Sequence, residues 1–193
     1  MNSTPINNIN LPALDEAKAA IQAQPDLGIV NYGVELTWQS GTRAIAKALP
    51  ILMGQELIDR NFTWTIDEPQ PLLGENSGPT PQEYLMSGVG ACILVGFAVN
   101  AAIMGVKINQ LAVTVTGSLN LSGFLNLDPQ APIEMLGIQY KIAVAADGTE
   151  EQLKEIESKA IHFSPNAMTV AKGIAFSGEM EILKRSSQEP MLI

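Results

Sequence analysis

Apolar and polar residues alternate along this chain in stretches that change period, and the changes mark its elements. Leu14, Ala17 and Ile21 share one face of Leu11–Gln24, which predicts a helix ended by Pro25 and Gly28. Three strands are expected next, at Gly33–Trp38, Arg43–Leu49 and Glu56–Ile66. Gln39-Ser40-Gly41-Thr42 is a turn-forming stretch, so the first two read as a hairpin. In the third, Phe62, Trp64 and Ile66 alternate with Asn61, Thr63 and Thr65, the pattern of a half-buried strand. The stretch from Asp67 to Pro81 is dense in proline and glycine and reads as a loop. It leads into the longest apolar run, Tyr84 to Val106, which holds no charged residue. Thr80 can cap a helix there, Pro81 suits its first position and Glu83 completes a capping box, so a helix is expected to about Met104, stopping at Gly105.

Beyond it, Lys107–Leu119 and Met135–Ala146 read as strands, joined by an irregular connection over Asn120–Glu134. Thr149 and Gln152 form a second capping box, opening a helix with Leu153, Ile156 and Ala160 on its apolar side. That helix breaks at Ser164-Pro165; a short helix runs to Lys172, and a last strand is expected at Ala175–Leu183. Residues 1–10 are polar and Asn-rich and are expected to fray. The pattern is segregated α+β rather than an alternating parallel sheet. It divides into an N-terminal extension with a helix (1–30), a single domain (31–185) and a loose tail (186–193).

A run as long and apolar as Tyr84–Val106 could span a bilayer, but it contains Ser87, Asn100 and four glycines, and amphipathic strands flank it. It is therefore read as a buried core helix, with no membrane partner. Composition sharpens the picture. Eleven Lys and Arg against 20 Asp and Glu give a net charge of −9, which leaves no electrostatic footprint for nucleic acid or an anionic membrane. Only 16% of residues are charged, which suggests that another subunit covers part of the surface. The single cysteine excludes an internal disulfide and the usual zinc sites, and the single histidine, His162, excludes a two-histidine metal site unless a partner subunit supplies the second. No cofactor or metal is expected. The first 20 residues lack the pattern of a signal peptide, so a reducing, cytoplasmic setting is expected.

The candidate chemistry centres on Cys92. It recurs with Gly88 and Gly96 at four-residue spacing, so it reads either as one more small packing side chain or as a reactive thiol. The reactive reading needs a positive neighbour, because Cys92 lies more than two turns past the helix start, beyond most help from the dipole. Of Arg43, Arg60 and Arg185, Arg43 sits on a hairpin edge, where its guanidinium either points inward or is a solvated strand-edge group. Ser164 with Pro165 reads as a helix cap; paired with His162 it lacks the glycine turn of a serine hydrolase.

The segment Gly78 to Cys92, GPTPQEYLMSGVGAC, resembles the signature of the OsmC/Ohr family, the osmotically inducible and organic hydroperoxide resistance proteins. The order of elements from about Val34 to Leu183 is similar, and Ser164-Pro165-Asn166 falls where the family carries a second cysteine followed by proline. The resemblance implies an intertwined homodimer, with two central helices packed against antiparallel sheets. It also implies a stress-response peroxidase in which Cys92 attacks an organic hydroperoxide, held as thiolate by an arginine, here Arg43, and a glutamate. Gln82 stands at that glutamate's position, and Glu83 points about 100° around the helix from it. Ser164 stands at the resolving-cysteine position. The expectation is thus a single-cysteine reductase of a small apolar hydroperoxide that depends on an external thiol. The alternative is a non-catalytic relative binding a small apolar ligand at the dimer-interface pocket, with Cys92 as packing.

Overall fold

The computed structural model describes residues 5–183. Its helices are α1 (Leu11–Ala23), α2 (Pro81–Ile103), α3 (Leu121–Phe124), α4 (Glu150–His162) and α5 (Pro165–Lys172). Its strands are β1 (Val30–Asn31), β2 (Val34–Ser40), β3 (Arg43–Ala48), β4 (Ile51–Met53), β5 (Glu56–Ile58), β6 (Thr63–Ile66), β7 (Ile108–Ser118) and β8 (Gly137–Ala146). They pair antiparallel in three small sheets, ordered β1-β4-β5, β2-β3-β6 and β7-β8. The α+β class is as the sequence predicts.

Helix α2 is the axis of the fold. Both halves of its capping box form: the Glu83 N–H donates to Thr80 Oγ1 at 3.2 Å and the Thr80 N–H to Glu83 Oε2 at 2.7 Å. The Tyr84 hydroxyl donates to the Thr65 carbonyl at 2.7 Å and ties the first turn to β6. Further along, Phe97, Ala101 and Val106 pack with Ile156 and Ala160 of α4, and Ile108, Leu111, Ile142 and Val144 of β7 and β8 close around them. Glycine sets two close approaches. A Cβ at Gly90 would lie 3.0 Å from Val115, and one at Gly96 would lie 3.4 Å from the Ala160 backbone, so β7 and α4 both reach the helix shaft. By length and composition α2 could cross a membrane; in this fold β7, α4 and α5 pack along it.

Three expectations need correction. The strand expected at Glu56–Ile66 is two strands in different sheets. Gly54, at φ +58°, turns β4 back into β5, and the polar Asp59-Arg60-Asn61 link carries the chain across to β6. The strand expected at Ala175–Leu183 does not form. Its alternation is intact, but Ile174, Phe176, Met180 and Ile182 are all exposed, with no sheet edge of the same chain taking them up. The expected fraying of residues 1–10 fails at Asn7, whose amide donates to the Val106 carbonyl at 3.0 Å and accepts from the Ile108 N–H at 2.9 Å. The tail 186–193 lies outside the described residues.

The core is thin for the chain's size. A compact monomer of 20.6 kDa exposes about 8,900 Å². This chain exposes 15013 Å². Large apolar side chains are among the exposed residues: Val34, Leu36 and Trp38 on one face of β2, Leu85, Leu94, Val95 and Ile103 on α2, and Ile174, Phe176, Met180 and Ile182 in the extended segment after α5.

Candidate functional site

Cys92 sits midway along α2, half-buried, its thiol free. The turns on either side of it are held by the two helices that follow. One turn before, the Gly88 carbonyl accepts from Asn166 Nδ2 at 2.8 Å. One turn after, Gly96 lies against Ala160. Asn166 and Ala160 bracket the α4–α5 junction, so that junction lies along the stretch of α2 that carries Cys92.

Ser164 occupies the junction and is 2% exposed. Two local signals put it there. Its own N–H closes the end of α4 on Ile161 at 3.2 Å, and its Oγ accepts from the Ala167 N–H at 3.3 Å as the N-cap of α5, with Pro165 at the first position. The hydroxyl is thus engaged as a cap, at a junction that packs along the stretch of α2 between Gly88 and Gly96. The His162 ring stacks edge-on against Phe163, with centroids 4.7 Å apart.

The other two predicted site residues lie elsewhere in the chain. Arg43 begins β3 and its Nη1 donates to Glu75 Oε2 at 2.9 Å, so the guanidinium is engaged by the loop that precedes α2. Gln82 is half-buried in the first turn of α2, about 15 Å along the axis from Cys92 and some 80° around it. Glu83 is committed to the capping box and points to the face opposite Cys92.

Sequence reading missed Asp67, which organises that loop. It is 1% exposed and accepts five hydrogen bonds: from Thr42 Oγ1 (2.7 Å), Ser77 Oγ (2.8 Å), and the N–H groups of Glu68 (2.9 Å), Ser77 (3.0 Å) and Glu75 (3.1 Å). These donors, Thr42 foremost, hold its carboxyl well below the usual carboxylate range. The neighbouring Glu68 goes the other way. Burial first, then the charges of Asp67 and Glu83, push its carboxyl up, and its Oε2 is buried without a partner. Gly74 has its place because a Cβ there would collide with the Glu68 carbonyl. The only signal in the sequence was an aspartate at a strand end before a Pro/Gly-rich loop, which many loops share.

The opposite face of α2 carries an open groove of ≈ 500 Å³. Met86, Gly90, Leu94, Val113 and Val115 line it, with Glu83 and Ser87 among its polar groups. Cys92 is not part of this groove.

Comparison with known proteins agrees with the fold. The profile of the family described as OsmC-like protein matches residues 74–178. An OsmC-like protein from Mycoplasma pneumoniae superposes with a TM-score of 0.58 at 21% identity, covering 74% of this chain and 89% of that one. An OsmC-like protein of unknown function from Vibrio cholerae gives 0.56 at 12% identity, covering 72% and 92%. An organic hydroperoxide resistance protein from Elizabethkingia anophelis, crystallised with thiocyanate bound, gives 0.50 at 16% identity, covering 74% and 89%. No curated protein sequence matches this one.

Proposed function

This chain belongs to the OsmC-like protein family, and from that premise we propose that it reduces small apolar organic hydroperoxides with Cys92 as its one redox centre. The observation that carries this reading is the position of Cys92. It is a half-buried thiol on the central helix of the matched segment, on the stretch along which the α4–α5 junction packs, and by the resemblance Ser164 at that junction stands where a second cysteine would be.

The Cys92 sulfur attacks the terminal oxygen of the hydroperoxide. An S–O bond forms, the O–O bond breaks, and the departing alkoxide takes a proton to leave as the alcohol. Sulfur gives up two electrons and becomes a sulfenic acid. Because Ser164 cannot form a disulfide, an external thiol attacks that sulfur and releases water, and a second thiol then frees Cys92 and carries the disulfide away. A thiol-rich, cytoplasmic setting suits this cycle.

The working unit in this proposal is a homodimer. The exposed apolar residues of α2, of the β2 face and of the unpaired Ile174–Leu183 segment are surface that a second copy would cover, and obligate dimers bury about 2,000–5,000 Å². A second copy would supply the other central helix and a sheet edge for that segment. Arg43 would then serve the thiol only if released from Glu75 or delivered across the dimer.

The test is consumption of cumene hydroperoxide in the presence of dithiothreitol by wild type and by Cys92→Ser. Wild type should turn over while the variant stays at the uncatalysed rate. Equal rates would sink the peroxidase reading and leave the groove beside Leu94 and Val115 as a site for an apolar ligand.

A further inference from the structure

We propose that residues 5–31 form a strap whose helix, α1, closes over a second copy of this chain. The proposal rests on the homodimer reading and adds to it a segment that precedes the family match at 74–178.

The strap is fastened at both ends to its own subunit. At one end Asn7 bonds both the Val106 carbonyl and the Ile108 N–H, the two backbone groups where α2 hands over to β7. Asn7 holds a left-handed conformation, φ +53°, to reach them, which asparagine tolerates better than most residues. At the other end, Val30 and Asn31 pair with Met53 and Leu52 of β4, the Gly54 N–H donates to the Ile29 carbonyl at 3.1 Å, and Leu27 packs on Gly54.

Between the fastenings runs α1, about 20 Å long. Its start is well made, with the Asn10 side chain accepting from the Ala13 N–H at 3.1 Å and Pro12 in the first turn. Yet none of its residues is fully buried: Leu14, Ala17 and Ile21 form a stripe along one side, of which Leu14 and Ile21 are half-buried, Ile21 against Gly28 of the following turn, and Ala17 is exposed. A 13-residue helix is marginal in water unless such a face is covered.

A second copy is the occupant that the rest of the surface favours. The Asn7 fastening lies three residues beyond Ile103, the last exposed apolar residue of α2, so the strap continues the face that the dimer would use. Exposed apolar residues also lie on α2, on β2 and along Ile174–Leu183, well beyond α1, which calls for a body-sized partner with matching apolar faces. Asp15 and Glu16 against Lys18 give α1 no basic face for a membrane or nucleic acid. A strap tied at both ends should act chiefly on dissociation.

The experiment mixes two isotopically distinguishable preparations of the full chain. Native mass spectrometry follows subunit exchange, and hydrogen exchange follows the α1 amides. Wild type should be a dimer with protected α1 amides. Leu14→Glu/Ile21→Glu should exchange subunits at least about tenfold faster with an unchanged circular-dichroism spectrum, and Asn7→Ala should move in the same direction. A wild-type dimer with unprotected α1 and exchange rates equal to the variants' would overturn the strap and leave the dimer standing. A wild-type monomer at micromolar concentration would overturn the dimer reading and the strap with it.

Discussion

Replacing Ile156 by alanine removes three carbons from the contact that fixes α4 on α2. The Ile156 side chain is fully buried, packed among Phe97, Ala101, Val106 and Ala160. At about 0.8 kcal/mol per buried carbon, the lost transfer energy is about 2.4 kcal/mol. With α4 held against α2 and side chains of β7 and β8 packed around the cluster, the site collapses poorly into the gap, so a cavity term raises the cost to about 3–4 kcal/mol. For a chain of this size that lowers the melting temperature by about 10 °C. The assay is urea and thermal unfolding at one fixed protein concentration, because association contributes to apparent stability. Lys154→Ala is the control: its ion pair with Glu150 spans 2.6 Å but both side chains are largely exposed, and its loss should cost less than about 0.5 kcal/mol. A loss below about 1 kcal/mol for Ile156→Ala would refute the packing of α4 described above, and with it the placement of the α4–α5 junction along α2.

Other consequences concern the helix start, the loop before it and the junction. Thr80→Ala should cost about 1 kcal/mol by removing the cap of α2, read from the urea midpoint. Glu68 is pushed above its ordinary 4.5, so its ionisation opposes folding: its contribution is fully present below that value and lost as pH rises through the folded value. Glu68→Gln should therefore raise the melting temperature at neutral pH, and the gain should vanish toward pH 4.5. Asp67 has the opposite sign. Its stabilisation is present above the ordinary 3.8 and is lost as pH falls below it, so Thr42→Ala, which removes its leading donor, should move acid unfolding to higher pH. Ser164→Cys should close a disulfide with Cys92 after one equivalent of hydroperoxide, seen as loss of both thiols to an alkylating reagent without formation of a covalent dimer.

What could be read from the sequence was local. The capping boxes at Thr80/Glu83 and Thr149/Gln152, and the Ser164-Pro165 cap, are each written within four residues, and all form. They fix where α2, α4 and α5 begin. What escaped depends on distant partners. Asn7 bonds a carbonyl 99 residues away. Asp67 gathers donors from Thr42 through Ser77. Glu56–Ile66 alternates as one strand should, and only the pairing of β5 with β4 and of β6 with β3 reveals two. The Ala175–Leu183 alternation is a correct strand signal in a chain that offers it no edge. Arg43 could be named as the cation in reach of the hairpin turn, but its engagement by Glu75 belongs to a loop whose path Asp67 decides.

The most direct test of the account is to treat the full-length protein with one equivalent of cumene hydroperoxide in the presence of dimedone and locate the adduct by peptide mass spectrometry. The account predicts a single dimedone adduct on Cys92, formed within the mixing time and absent when the thiol is alkylated beforehand. An unmodified Cys92 in folded protein, with the hydroperoxide unconsumed, would contradict it.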